Sequence, residues 1–340
     1  MKTGSRHEAI GNSKKAHVFG LALSAMLLAL CLPVNAQQAK KIPRIGYLQG
    51  ASASSVAART EALRHGLREL GYMEGKSILI EYRYAEGKQD RESDLASELV
   101  RLKVDLIVTG GPTATRAAKQ ATSTIPIVMG FDNDPVGSGF VVSLARPGGN
   151  ITGLSSLTPE LSGKRLELLK EIVPKLSRLA VLGNSTEPGN AQSLKEMELA
   201  APGFAVQLQY LDVQDPKDIE TAFRAASNGR AQALLVMGSS IFASQRTHIA
   251  ELAVKYWLPA TYTRLEYVEA GGLMTYGPSI TDLFRRSATY VDKIIKGAQP
   301  ADLPVEQPIK FEFIINLKAA KQIGLTIPPN VLARADRVIK

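Results

Sequence analysis

The stretch Phe131 to Leu154, FDNDPVGSGFVVSLARPGGNITGL, decides how this chain is read. It follows a short apolar run, Ile125 to Met129, and opens with Asp132, Asn133 and Asp134 ahead of Pro135. Gly137, Gly139, Gly148, Gly149 and Gly153 then punctuate an apolar segment, Phe140 to Ala145, that is too short for an ordinary helix. Glycine at that density signals tight turning, close backbone approach or hinge freedom. The stretch reads as a ligand loop followed by a crossover between two domains. The competing reading is a long connection with turn chemistry and no ligand.

Outward from it, strands and helices alternate in both directions. Upstream, the strand candidates are Arg44 to Leu48, Ser77 to Tyr82, Val104 to Thr109 and Ile125 to Met129. Helical spacing covers Val56 to Leu70, with Leu63, Gly66, Leu67 and Leu70 on one face, then Asp94 to Leu102, and a segment after Gly110-Gly111-Pro112-Thr113. Downstream the same order restarts, with strands at Arg178 to Leu182, Ala205 to Val213, Ala231 to Met237 and Leu258 to Tyr262. Asp215-Pro216 opens a helix there as cap and first-turn proline. Each half thus repeats four apolar strands, the third ending in a Gly-rich turn into a helix. Such alternation predicts an α/β chain of two Rossmann-like lobes with parallel sheets. The tail adds a strand at Gly272 to Tyr276, an amphipathic helix at Ile280 to Ile295, a strand at Ile309 to Ile315 and a short helix from Leu317. An extra strand and helix for each lobe predict three interlobe crossovers. The expected boundaries are 42–153 plus 274–302 for the first lobe and 154–273 plus 303–340 for the second. The repeat also divides the opening stretch: only its start, around Asp132, lies at a strand's carboxyl end, while Gly148 to Leu154 reads as the first crossover.

The 340 residues are enough for about two domains with sizeable cores. Lys2, Arg6, Lys14 and Lys15 precede the apolar run Val18 to Leu32, and Val34-Asn35-Ala36 supplies the small residues of a cleavage site. Residues 1–36 therefore read as a secretory signal peptide rather than a retained anchor, and the expected location is the periplasm. Leu30 before Cys31 is bulky for a lipoprotein signal, so lipid anchoring is not expected. Four basic residues and one acid lie in that segment, so its removal lowers the net charge from +9 to +6. The remaining charge is interspersed and nucleic-acid binding is unsupported. Cys31 is the only cysteine, so a processed chain has no disulfide, thiolate site or cysteine nucleophile. His65 and His248 stand far apart without ligand spacing and read as surface or packing residues, and no metal or cofactor is expected.

Ligands of open α/β sheets bind beyond the carboxyl ends of the strands, where helix N-termini offer free N–H groups. Those ends are 49–55, 110–113 and 131–134 in the first half, and 184–190, 238–240 and 261–266 in the second. Hydroxyls there, the acids Asp132 and Glu266, and the rings of Tyr262 and Tyr276 suit a zwitterion. The alternative is that these are caps and turns. There is no P-loop, dinucleotide fingerprint, nucleophile elbow or triad. Asp132 and Asp134, two apart before a proline, look like turn chemistry rather than a catalytic pair.

Several motifs then resemble one bacterial family. Asp134–Gly139 (DPVGSG), Leu144–Gly153 (LARPGGNITG), Glu269–Pro278 (EAGGLMTYGP), Lys296-Gly297-Ala298, Leu303–Pro308 (LPVEQP) and Gly324–Pro329 (GLTIPP) are similar to the hallmarks of ABC-importer substrate-binding proteins, the family that includes tryptophan- and tyrosine-binding members. The resemblance implies a type I periplasmic-binding-protein architecture without catalysis and with no cofactor. It further implies a small-molecule ligand, with an aromatic or branched amino acid as the expected class, and a monomer that serves an inner-membrane permease with its separate ATPase. By strand order it places Ser52, Ser54, Gly111, Thr113 and Asp132 of the first lobe and Asn184, Ser239, Ser240 and Glu266 of the second around the ligand, with Glu266 meeting an amino group. Two other classes stay open, a sensor module read by a membrane receptor and an exported hydrolase.

Overall fold

Strand-length apolar runs flanked by Gly, Ser and Asn become two parallel-dominated sheets. The computed structural model describes Met1 and residues 41–340, so the signal-peptide and Cys31 expectations lie outside the described residues. The first sheet holds β1 (Arg44–Gln49), β2 (Leu79–Tyr84), β3 (Leu106–Thr109), β4 (Ile127–Asp132) and β5 (Ile151–Ser155) in the order β2-β1-β3-β4-β5, all parallel. The second holds β6 (Arg178–Gly183), β7 (Gln207–Asp212), β8 (Ala233–Val236), β9 (Ala260–Tyr262), β10 (Met274–Pro278), β11 (Phe311–Asn316) and β12 (Arg337–Ile339) in the order β12-β11-β10-β9-β8-β6-β7. Only β11 against β10 runs antiparallel. The first sheet is covered by α1 (Ala57–Glu69), α2 (Gln89–Arg101), α3 (Pro112–Ala121) and, from the far end of the chain, α10 (Ile280–Ile295).

The helix α1 buries Leu63, Gly66 and Leu67 against α10, while Leu70, expected on that face, is 41% exposed because the helix has ended at Glu69. Gly66 allows the crossing: a Cβ there would stand 2.2 Å from the Arg285 carbonyl. Each buried leucine contributes about 1.5–3 kcal/mol of burial. Asp215 does cap its helix, its carboxylate accepting the Lys217 N–H at 3.0 Å. His65 and His248 lie on helix surfaces beside Glu69 and Glu220.

Two boundaries move relative to the sequence reading. Gly148 to Leu154 is not the crossover: Ile151–Ser155 is a wholly buried strand paired with β4. Gly153 sits at φ +131° with a would-be Cβ only 2.3 Å from the Met129 carbonyl, so the strand passes β4 too closely for any side chain. The first crossover follows at residues 156–161. The second comes after Pro278, since β10 belongs to the second sheet. Residues 303–306 still serve the first lobe: Glu306 exchanges backbone bonds with Gly153 and Ser155, covering the edge of β5. Arg165, on α4 (Ser162–Ile172), is buried at the first two crossovers, where it donates to the carbonyls of Thr158 and Tyr276.

Candidate functional site

The carboxyl ends of the two sheets face one another, and side chains of the two lobes touch. Thr113, in the first turn of α3, stands 3.1 Å from Ser240 Oγ at the start of α7 (Ser240–Ser244). Arg59 of α1 donates through Nε and Nη2 to Glu266 Oε1, at 2.7 and 2.5 Å, on α9 (Leu265–Glu269). Arg264 lies 4.7 Å over the ring of Phe131, and Arg59 lies 5.7 Å from the same ring. Arg116 donates to the Thr186 carbonyl at 3.0 Å. Gly50 marks a close approach of the lobes, since a Cβ would stand 2.5 Å from Ser240 Oγ across the seam, and equally close to Glu92 Oε1 of its own lobe. The lobes are therefore closed on each other.

Inside this seam three carboxyls are almost fully buried: Glu92 on α2, Asp132 at the end of β4, and Glu187 in the loop after β6. Among the described residues, each has one oxygen without a partner, and both ends of the Gln49 amide and the Asn184 side-chain nitrogen lack one too. Burial, then the charge of Glu187, pushes Glu92 up to about 8 despite the Thr113 hydroxyl, which donates to it at 2.9 Å. Burial lifts Glu187 to about 7, opposed by Arg264 and by the Ser240 backbone N–H. Asp132 rises well above the usual carboxylate range through burial, more than its bond from the Asp134 N–H can offset. Glu266 goes the other way: burial raises it, but Arg59 and Arg264 together bring it below its ordinary value. Burial and the neighbouring Arg59 lower Arg264.

The residues picked out by sequence divide accordingly. Thr113 and Ser240 meet across the seam, and Asp132 lies within the same buried set. Asn184 is fully buried, its Oδ1 accepting from the N–H and hydroxyl of Thr186. Ser239 caps α7 by accepting the Ile241 N–H. Gly111 adopts φ +134° beside the Phe131 ring and sets the start of α3. Ser52 bonds Ser54 and Ser55 within its own turn, and Ser54 is exposed. Glu266 is engaged by Arg59. Tyr262, the last residue of β9, stacks on Tyr267 at 5.0 Å within the second lobe's core, and Tyr276 packs on Phe311 and Phe313 of the sheet, so both rings serve packing. Asp134 takes the Gly137 N–H, which is turn chemistry.

Sequence reasoning missed Glu92, Glu187, Arg59 and Arg264. Glu92 lay just ahead of the helix expected at Asp94 to Leu102 and drew no reading, and Glu187 lay in a loop already marked as a strand end. A charged residue in such a loop was the available signal. Among the described residues no group of His, Cys, Asp and Glu could hold a metal ion, and no helix is long and apolar enough to cross a membrane.

Known proteins place this arrangement. A tyrosine-binding protein of Clostridioides difficile (strain R20291) is 26% identical over 286 residues, covering 84% of this chain and 82% of that one. The crystal structure of an ABC domain in complex with L-Trp, from Streptococcus pneumonia, superposes with TM-score 0.82 at 28% identity, covering 87% of this chain and 99% of that one. A conserved domain protein from Vibrio cholerae gives TM-score 0.83 at 29% identity, over 88% of this chain and all of that one. The model of the ABC transporter substrate binding protein family matches residues 44–339, essentially everything described above, and this chain belongs to that family, with its type I periplasmic-binding fold.

Proposed function

We propose that this protein is the extracytoplasmic receptor of an ABC importer and that it closes its lobes on an amino acid, with aromatic side chains favoured. The observation that carries the reading is the seam itself, where buried acids, Glu92, Asp132 and Glu187, and buried cations, Arg59 and Arg264, come from both lobes to one place. Opposite charges enclosed together suit a zwitterion, whose ammonium and carboxylate each find a counter-charge there. The tyrosine- and tryptophan-binding relatives support the same class. A ligand held between lobes shifts the open–closed balance only through contacts it makes better in the closed form, and that closed form is what a permease with its ATPase would receive. Thr113 and Ser240, touching across the seam, are the pair through which such a ligand reports closure.

The test is a thermal-shift and calorimetric screen of the purified protein with L-tyrosine, L-tryptophan, L-leucine and myo-inositol. A ligand at 100 times its Kd stabilises the folded state by about 2.7 kcal/mol, which moves the midpoint by several degrees. An aromatic amino acid is expected to produce that shift. A shift with inositol and none with any amino acid would overturn the reading.

A further inference from the structure

Glu92 and Glu187 come into the seam from opposite lobes, close enough for the charge of Glu187 to act on Glu92. Both are at most 3% exposed, and among the described residues the Oε2 atom of each has no partner. Their remaining contacts form one chain across the seam. Thr113 Oγ1 donates to Glu92 Oε1 at 2.9 Å, the Thr113 and Ser240 hydroxyls lie 3.1 Å apart, and the Ser240 backbone N–H is directed at the Glu187 carboxyl. Among the described residues no Lys, Arg or His makes an ion pair with either acid. The neighbouring basic groups are committed elsewhere: Arg116 to the Thr186 carbonyl, Arg59 to Glu266, and Arg264 to the face of Phe131. Asp132 adds a third buried acid with one oxygen unpartnered among the described residues, and the charge of Glu187 helps to push it up. Glu266 is a poor candidate for a ligand's amino group, because two N–H groups of Arg59 already neutralise it.

We propose that Glu92 and Glu187 together receive the positively charged amino group of the ligand, so that the cleft closes on amine-bearing molecules and releases a proton to solvent as it does. This rests on the receptor reading and names the specificity-determining residues of that same site. The chemistry follows from proximity and desolvation. Burial disfavours the charged form of both acids, and Arg264 and Arg116 oppose this without outweighing it, so the closed, ligand-free pair favours retaining a proton. An entering ammonium supplies the counter-charge and three N–H donors for the unpartnered oxygens. The retained proton is no longer favoured and passes to water, leaving the ammonium bound between two carboxylates. The raised positions of Glu92, about 8, and Glu187, about 7, put this exchange within reach of ordinary buffers.

The experiment is calorimetric titration of the purified protein, its Glu92→Gln and its Glu187→Gln variants, with L-tyrosine, tyramine and 3-(4-hydroxyphenyl)propionate at pH 6 and pH 8, each in two buffers of different ionisation enthalpy. A broad panel of primary amines and of amine-free acids is run beside them. Expected are binding of tyrosine and tyramine, at least ~100-fold weaker binding of the deaminated acid, net proton release near pH 7, and a roughly tenfold gain in tyrosine affinity between pH 6 and 8. Both glutamine variants should weaken amine binding at least ~tenfold and flatten the pH profile, with circular dichroism and melting unchanged. If one variant does not fold, the other and the analogue series decide. Equal affinity for the deaminated acid, or binding that strengthens as pH falls with proton uptake, would mean that the acids hold protons to meet a carboxylate, and the inference would be wrong. Unchanged amine affinity in both variants overturns it too. If tyrosine and tryptophan fail while another primary amine binds with proton release, the amino-acid reading falls and this inference stands.

Discussion

Arg59 shows how much a single side chain can decide in this seam. It is 2% exposed and spans the lobes to reach Glu266, so its position is meaningful only when they are closed. Removing one member of a buried ion pair costs about 3–5 kcal/mol in a rigid protein. Here the lobes can part and hydrate Glu266, so the loss falls on closure rather than on folding. Arg59→Ala is expected to weaken L-tyrosine binding by at least ~tenfold while leaving the ligand-free melting midpoint nearly unchanged, and Arg59→Ala with Glu266→Ala should recover part of the affinity. Calorimetry on the two variants checks this; native affinity in the single variant would contradict it. At this scale the sequence was only partly legible. Thr113 and Ser240 followed from strand order alone, because strand ends are where such residues must lie. Arg59 sits in the first turn of α1 among Ala57, Ala58 and Thr60, with a spacing that any solvated helix face would share, so its partner 207 positions away left no local trace.

Among the elements, β5 carries the clearest lesson. The run ITGLS is only five residues long and follows Pro147-Gly148-Gly149, and its own glycine reads as a hinge. Its strand character comes from being walled in by β4 on one side and by residues 303–306 on the other, neither of which is encoded within the run. The same holds for β12, three residues that are a strand only because β11 lies beside them. Long periodic elements such as α10, by contrast, were readable from their apolar stripe. Gly153→Ala should therefore disrupt the first lobe, since the substitution adds an unfavourable φ and a clash with the Met129 backbone. A loss of at least ~3 kcal/mol in a urea unfolding experiment is expected, and a loss under ~0.5 kcal/mol, typical of a neutral surface change, would show that β5 can move aside. Gly50→Ala is a different case. Its backbone is compatible with a side chain; opening carries Ser240 away, and in its own lobe the Cβ meets only the far end of the Glu92 side chain, which can turn into the hydrated cleft. Unfolding should be native-like while ligand affinity falls about tenfold, within the ~1–3 kcal/mol cost of overpacking; a native affinity would mean that Ser240 retreats without cost.

For the molecule as a whole, the buried acids make closure sensitive to pH. Glu92 and Glu187 have their acidities weakened in the closed form relative to the hydrated carboxylate value, so the closed form binds protons more tightly than the open one. Its stability relative to the open form is accordingly greatest at low pH and declines as pH rises through the interval between the ordinary value, 4.5, and about 7 to 8. Ligand-free protein should therefore expand between pH 6 and pH 8.5 in small-angle scattering, and Glu92→Gln with Glu187→Gln should remove that expansion; a radius of gyration constant across this range in the native protein would contradict it. The two-lobe plan itself was readable because each lobe repeats a strand and helix order, whereas the exact crossovers depended on β5 and β10 and were displaced by several residues. The strand β12 has one more consequence. The last residues, Arg337–Ile339, are stitched to the second sheet, while the turn Met73 to Ser77, with Gly75 at φ +78°, projects from the first. A fluorescent donor fused behind Lys340 and an acceptor attached at Lys76 would then ride on different bodies, and the energy transfer between them would turn this receptor into an optical gauge of its own ligand.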